Sequence, residues 1–105
     1  MSQFCAYKNT SPASRTLYPF LLEIQSDLLS GLRTTLVIPL TSAKIAAPIS
    51  LSRLNPTLTL DGKHFTVMTQ DIAGIDRSQL GPLAHDLTAH RAEIVAAVDF
   101  VLFGI

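Results

Sequence analysis

The sequence predicts an α+β protein in which short antiparallel strands come first and a helix comes last. Three observations carry this. Apolar and β-branched runs of strand length recur through the first two thirds, separated by Ser, Asn, Pro and Gly. Asp61-Gly62 lies between two alternating segments and is a strong signal for a two-residue hairpin. From about Leu87 onward the apolar residues instead recur at helical spacing. A chain of 105 residues suits a single domain, 1–105, around one modest core.

Gln3 to Lys8 reads as the first strand, with Cys5 as a small residue inside it. Cys5 is the only cysteine, so no internal disulfide is expected. Met1 to Lys8 lacks the basic-then-apolar order of a signal peptide. Asn9 to Arg15, with Pro12 among Ser and Thr, is a loop. Tyr18 to Gln25 is a second, buried strand. Ser26, Asp27, Ser30 and Gly31 then bracket Leu28-Leu29, two leucines in a segment that otherwise reads as a turn. Turns lie at the surface, so the pair is either tucked inward or presented to a partner.

Thr34 to Ile38 is a third strand, rich in β-branched residues. Pro39 cannot donate to a ladder and so marks its edge or its end. Ala43 to Ala47 forms a helical turn before Pro48, and Leu51 to Pro56 is connecting structure. Pairing outward from Asp61-Gly62 sets Leu60 opposite Lys63 and Leu58 opposite Phe65. Leu58, Leu60, Phe65 and Val67 then share an apolar face, while Thr57, Thr59, His64 and Thr66 share a polar one.

Asp76-Arg77-Ser78-Gln79 has the form of a capping box and opens one short turn before Gly81-Pro82. The closing helix begins either near Pro82 or at Thr88 as N-cap. Leu87, Ile94, Val98 and Val101 form its inner row, and Asp86, His90 and Glu93 its wet side. From Ile94 on, apolar residues cover every side except at Asp99. A helix apolar all round is buried all round. A domain this small cannot wrap it alone, so one side is expected on its own sheet and the other on a second subunit.

Eight basic and eight acidic residues give zero net charge, which argues against strong direct nucleic-acid binding. The apolar stretch from Ile94 to Ile105 falls short of the ~20 residues that span a bilayer, so a soluble, cytoplasmic protein without membrane association is expected. His64, His85 and His90 lack the spacing of paired helical ligands, and no phosphate loop or nucleophile elbow is present. No metal, cofactor or catalytic residue is therefore assigned. Glu23 and Asp27 are near in sequence, but two carboxylates form an acid–base pair only if they meet in space. Asp99 is costly to bury unpaired, so it reaches either water or a partner's cation.

Several segments, in order along the whole chain, resemble CcdB-type toxins. They are Met1 to Tyr7, Ile24-Gln25-Ser26-Asp27-Leu28-Leu29, Leu36-Val37-Ile38-Pro39-Leu40, Met68-Thr69-Gln70-Asp71-Ile72-Ala73 and the closing Gly104-Ile105. The resemblance implies an SH3-like barrel-type twisted antiparallel sheet with a small side sheet and a C-terminal helix, related to MazF-type ribonuclease toxins. It also implies a homodimer that binds the DNA gyrase A subunit, traps the gyrase–DNA cleavage complex and is silenced by a cognate antitoxin. Such a protein is a topoisomerase poison and not an enzyme. The family's gyrase contacts fall on Leu28, Leu29, Asp99, Leu102, Phe103, Gly104 and Ile105. The best-known member has asparagine where this chain has Asp99, and tryptophan where it has Phe103. Two alternatives stay open. One is an endoribonuclease of the related fold, although Arg15, Arg33, Arg53, Arg77 and Arg91 are scattered in sequence. The other is a non-toxic paralogue that only binds antitoxin.

Overall fold

The computed structural model describes residues 2–104. Among these residues the elements run β1 (Cys5–Asn9), β2 (Phe20–Glu23), β3 (Thr34–Ser42), α1 (Ala43–Ala46), β4 (Thr57–Leu60), β5 (Lys63–Val67), β6 (Ala73–Asp76), β7 (Leu80–Asp86) and α2 (Arg91–Phe103). The strands form one antiparallel sheet in the order β4-β5-β3-β2-β1-β7, with β6 also paired to β3.

β3 is the hub. It continues through Pro39 to Ser42, so the proline marks neither an edge nor an end. The reason lies in which way each residue's backbone points. Ile24 N–H donates to Leu36 O, so the even-numbered residues of β3 address β2. Pro39 addresses the other edge, where its carbonyl accepts from Met68 N–H at 3.0 Å. On that edge β6 pairs as far as Val37 and β5 pairs from Leu40. The missing N–H therefore falls at the exchange between two neighbours, where no ladder bond is lost.

The hairpin has the expected register, Leu60↔Lys63 and Leu58↔Phe65. Asp61 (φ 51°) and Gly62 (φ 78°) supply the two positive φ angles of a type I′ turn. Leu58, Leu60 and Val67 are buried. The polar face is not uniformly wet, because Thr66 is flanked by Thr57 on β4 and Thr41 on β3 and is itself buried.

Strand twist curls the sheet into a half-barrel. Phe20 on β2 meets Phe65 of β5 and His85 of β7 edge-on, with ring centroids 5.2 and 5.1 Å apart. His85 Nδ1 also lies 3.9 Å from Asp61 Oδ2 at the hairpin tip, so opposite ends of the strand order approach each other. Inside the curl, Phe4, Leu22, Ile38, Leu40, Val67 and Leu87 pack with Ile94 of α2. The fold is thus of the α+β, SH3-like barrel type with a C-terminal helix.

The C-terminal third departs from the sequence reading. Leu80–Asp86 is a strand, not the start of a helix. It lies at the sheet edge, where Pro82 is tolerated, and its register with β1 is irregular. The helix begins at Arg91 after a 3-10 turn, Thr88–His90. Asp86, the last residue of β7, leads into this turn: its Oδ1 accepts from Thr88 N–H at 3.0 Å and Thr88 Oγ1 at 2.6 Å, while the N-cap positions, Leu87 and His90, make no side-chain cap bond. Leu87 is buried in this connection and is not on the helix. Cys5 is a buried strand residue, and burial pushes its thiol above the ordinary range. No described helix is long and apolar enough to cross a membrane.

The predicted short turn after Asp76 is present as a 3-10 turn, Arg77–Gln79. Ser78 N–H donates to Asp76 Oδ1 at 3.0 Å and Arg33 Nη1 donates to Oδ2 at 2.7 Å. Hydrogen bonding from Ser78, then from Arg33, lowers the Asp76 carboxyl from 3.8 to about 2. A depressed carboxyl contributes stability that is present above 3.8 and lost as pH falls through about 2. Melting curves across that window should therefore show the parent losing more stability than Asp76→Asn does.

Candidate functional site

The Leu28-Leu29 segment is built by polar caps. Ser26 Oγ accepts from Leu28 N–H at 3.2 Å and opens a 3-10 turn, Asp27–Leu29. Asp27 Oδ1 accepts from Gln3 N–H at 2.9 Å. The turn buries none of its side chains: Leu28 is 94% exposed and Leu29 47%. The leucines are exposed and not tucked inward.

The far end of α2 forms the other part. Ile94 and Ala97 are its buried residues, and Val95, Val98, Phe100 and Val101 are half-buried. Leu102 and Phe103 are exposed, at 60% and 70%. The all-round apolar pattern is thus buried on one side only within this chain. Gly104 ends the helix in the left-handed conformation (φ 73°), and its N–H donates to Phe100 O at 2.9 Å. Ile105 lies outside the described residues.

Asp99 is exposed and stands between two clefts. One, of about 190 Å³, is mostly apolar and is lined by Gln3, Phe4, Ile24, Val95 and Val98 as well as Asp99. The other, of about 410 Å³, holds Arg53 and Glu93. Gln3 connects the halves of the site. Its side-chain amide donates to Ile24 O at 3.0 Å and its N–H holds Asp27, so the wall facing α2 continues into the Leu28 turn. Leu102 and Phe103, three and four residues beyond Asp99, follow on the same helical face. Leu28, Leu29, Leu102 and Phe103 themselves line neither cleft. Phe4 is held at φ 64°, a strained value for a bulky residue, between Glu23 O and Leu87 N–H at 2.7 and 2.8 Å.

A family model described as CcdB protein matches residues 3–104. The chain belongs to the CcdB family. Family membership makes it the toxin component of a toxin–antitoxin pair, with an antitoxin as partner.

Several of the polar groups that a ribonuclease of the related MazF-like fold could use have partners within the chain. Glu23 and Asp27 do not pair. Glu23 is buried, with Oε2 2.9 Å from Arg77 Nη1 and accepting from Thr35 Oγ1 at 2.6 Å. Asp27 serves Gln3. Arg33 pairs with Asp76, Arg53 stacks 4.4 Å from the Phe100 ring centroid, and Arg91 lies over Phe4 at 5.7 Å. His64 bonds Thr59 at 2.9 Å and His90 lies 3.3 Å from Glu93. Among the described residues no three His, Cys, Asp or Glu side chains are grouped to hold a metal. Sequence reasoning missed the contacts of Gln3 with Ile24 and Asp27, and those of Arg77 with Glu23, Leu29 and Leu32. Both side chains act on backbone groups distant in sequence, and neither carries a local signal.

Proposed function

We propose that the protein is a homodimeric gyrase poison. It binds the DNA gyrase A subunit through Leu28, Leu29, Asp99, Leu102, Phe103, Gly104 and Ile105, and traps the enzyme on cleaved DNA. A cognate antitoxin neutralises it. The observation that carries this reading is that Leu28 and Leu29 on one turn, and Leu102 and Phe103 at the helix end, are large apolar side chains left exposed. Large apolar side chains that a chain leaves in water suit a protein-interaction surface. In this reading the protein is an inhibitor without cofactor, working in the cytoplasm where gyrase is. The engagement of Glu23 by Arg77, and of Arg33 by Asp76, supports inhibition over catalysis.

The test is a gyrase supercoiling assay with DNA-cleavage trapping. The purified protein should block supercoiling, leave linear DNA on denaturation and sediment at twice the chain mass at micromolar concentration. RNA incubated with it, without gyrase, should stay intact. RNA cleavage would instead establish the ribonuclease reading, and inactivity in both assays the non-toxic one. Coexpression with the antitoxin should restore growth.

A further inference from the structure

We infer that Arg77 is a positioning residue that holds the Leu28-Leu29 turn in its binding shape; this rests on reading that turn as a gyrase contact. The turn has no apolar anchor, since residues 27–34 are all exposed. Polar contacts must therefore set its shape. Ser26 and Gln3 fix its start. Arg77 fixes its far side. Arg77 Nε donates to Leu32 O at 2.7 Å and Nη2 to Leu29 O at 3.3 Å, and the Arg77 backbone N–H donates to Arg33 O at 2.9 Å.

The guanidinium is itself held from the core. Nη1 donates to Glu23 Oε2 at 2.9 Å. Glu23 on β2 is 2% exposed, and its partner Thr35 on β3 is 1% exposed. A buried carboxylate thus aims a planar fork outward at two loop carbonyls. Lysine keeps the charge at such a place but is a single point donor, without the fixed fork. The clamp matters because apparent affinity is divided by the fraction of molecules in the competent shape. A turn competent about a tenth of the time binds about tenfold more weakly.

Two variants test this. Arg77→Lys keeps a cation beside Glu23 and removes the fork. Glu23→Gln with Arg77→Gln removes the charge pair together with the fork, and stays folded if Arg77→Lys does not. The readouts are thermal unfolding, affinity for the gyrase A subunit, and hydrogen exchange at the amides of Leu29, Ser30 and Leu32, which bond to Ser26 O, Asp27 O and Leu29 O. In the folded variant, exchange at these amides should rise and gyrase affinity should fall, each about tenfold. Amides of β2 and β3 should exchange as in the parent. Unchanged exchange at the three amides overturns the clamp. Faster exchange with undiminished gyrase affinity overturns the positioning role, provided Leu28→Ala does weaken binding. If Leu28→Ala binds gyrase like the parent, the gyrase reading of the turn has failed, and the clamp stands or falls on exchange alone.

Discussion

Arg77→Ala is expected to cost ~3–5 kcal/mol of stability, because it strips the partner from a buried charge. The Glu23 side chain is 3% exposed and the Arg77 side chain 15%, so little water can replace the guanidinium. Among the described residues Thr35 Oγ1 would remain as a donor to Oε2, and Oε1 has no hydrogen-bond partner even in the parent. A change of that size is a large share of the ~5–15 kcal/mol that holds a domain folded. At ~4–8 °C per kcal/mol for a chain near this length, the melting temperature should drop by at least about 12 °C. The cause is the orphaned charge and not the lost contact area. Adding Glu23→Gln to Arg77→Ala should therefore recover part of the loss, since a neutral amide is cheaper to bury. Arg33→Ala is the control. Its pair with Asp76 is short at 2.7 Å, but the Arg33 side chain is 79% exposed, and solvent-exposed pairs contribute little. Denaturant unfolding of the three variants would decide the matter. A single-variant loss no larger than that of Arg33→Ala would show that the Glu23 site is hydrated.

What the sequence made legible follows from how local each signal is. The hairpin register was readable because Asp61-Gly62 fits two adjacent positive φ angles, a demand that needs no tertiary context. The Leu28-Leu29 pair stood out because two leucines contradict the polar turn around them. Asp99 stood out because it contradicts an apolar helix end. The strands β6 and β7 were not readable. Gly74 and Gly81-Pro82 are local breakers, and only β3 and β1 beside them supply the pairing. Pro39 misled for the same reason: its harmlessness depends on where β6 stops and β5 starts. The helix start was misplaced because Leu87 has the spacing of the inner row, yet its N–H donates to Phe4 O as the chain leaves the sheet. Arg77 was invisible because its carboxylate partner is 54 residues away. The exposed apolar residues of the candidate site were thus legible, and the polar contacts around the Leu28-Leu29 turn were not.

Phe103→Ala should lower affinity for the gyrase A subunit by ~2 kcal/mol or more, the usual result of truncating an aromatic anchor. That is roughly a thirtyfold weaker dissociation constant. The melting temperature should hardly move, because the residue is 70% exposed. The cap at Gly104 uses Phe100 O, a backbone group that the substitution leaves in place. Phe100 is the useful contrast. Its ring already carries the Arg53 guanidinium at 4.4 Å, so Phe100→Ala should reduce stability first. Phe103 carries no such cation in this chain's described contacts and is free to offer its face to one on gyrase, with Asp99 adding a negative charge one helical turn away. If that is its use, Phe103→Trp should tighten binding by ~0.5–1 kcal/mol, since indole has the stronger quadrupole. A core or subunit-interface role predicts a different pair of results, with both substitutions lowering the melting temperature or the dimer's stability. Gyrase affinity and thermal unfolding, measured at one protein concentration for the same variants, separate the two. Lost stability with unchanged affinity would return Phe103 to the role of a packed helix end. Lost affinity with unchanged stability would place the anchor on the one large ring that α2 leaves mostly in water.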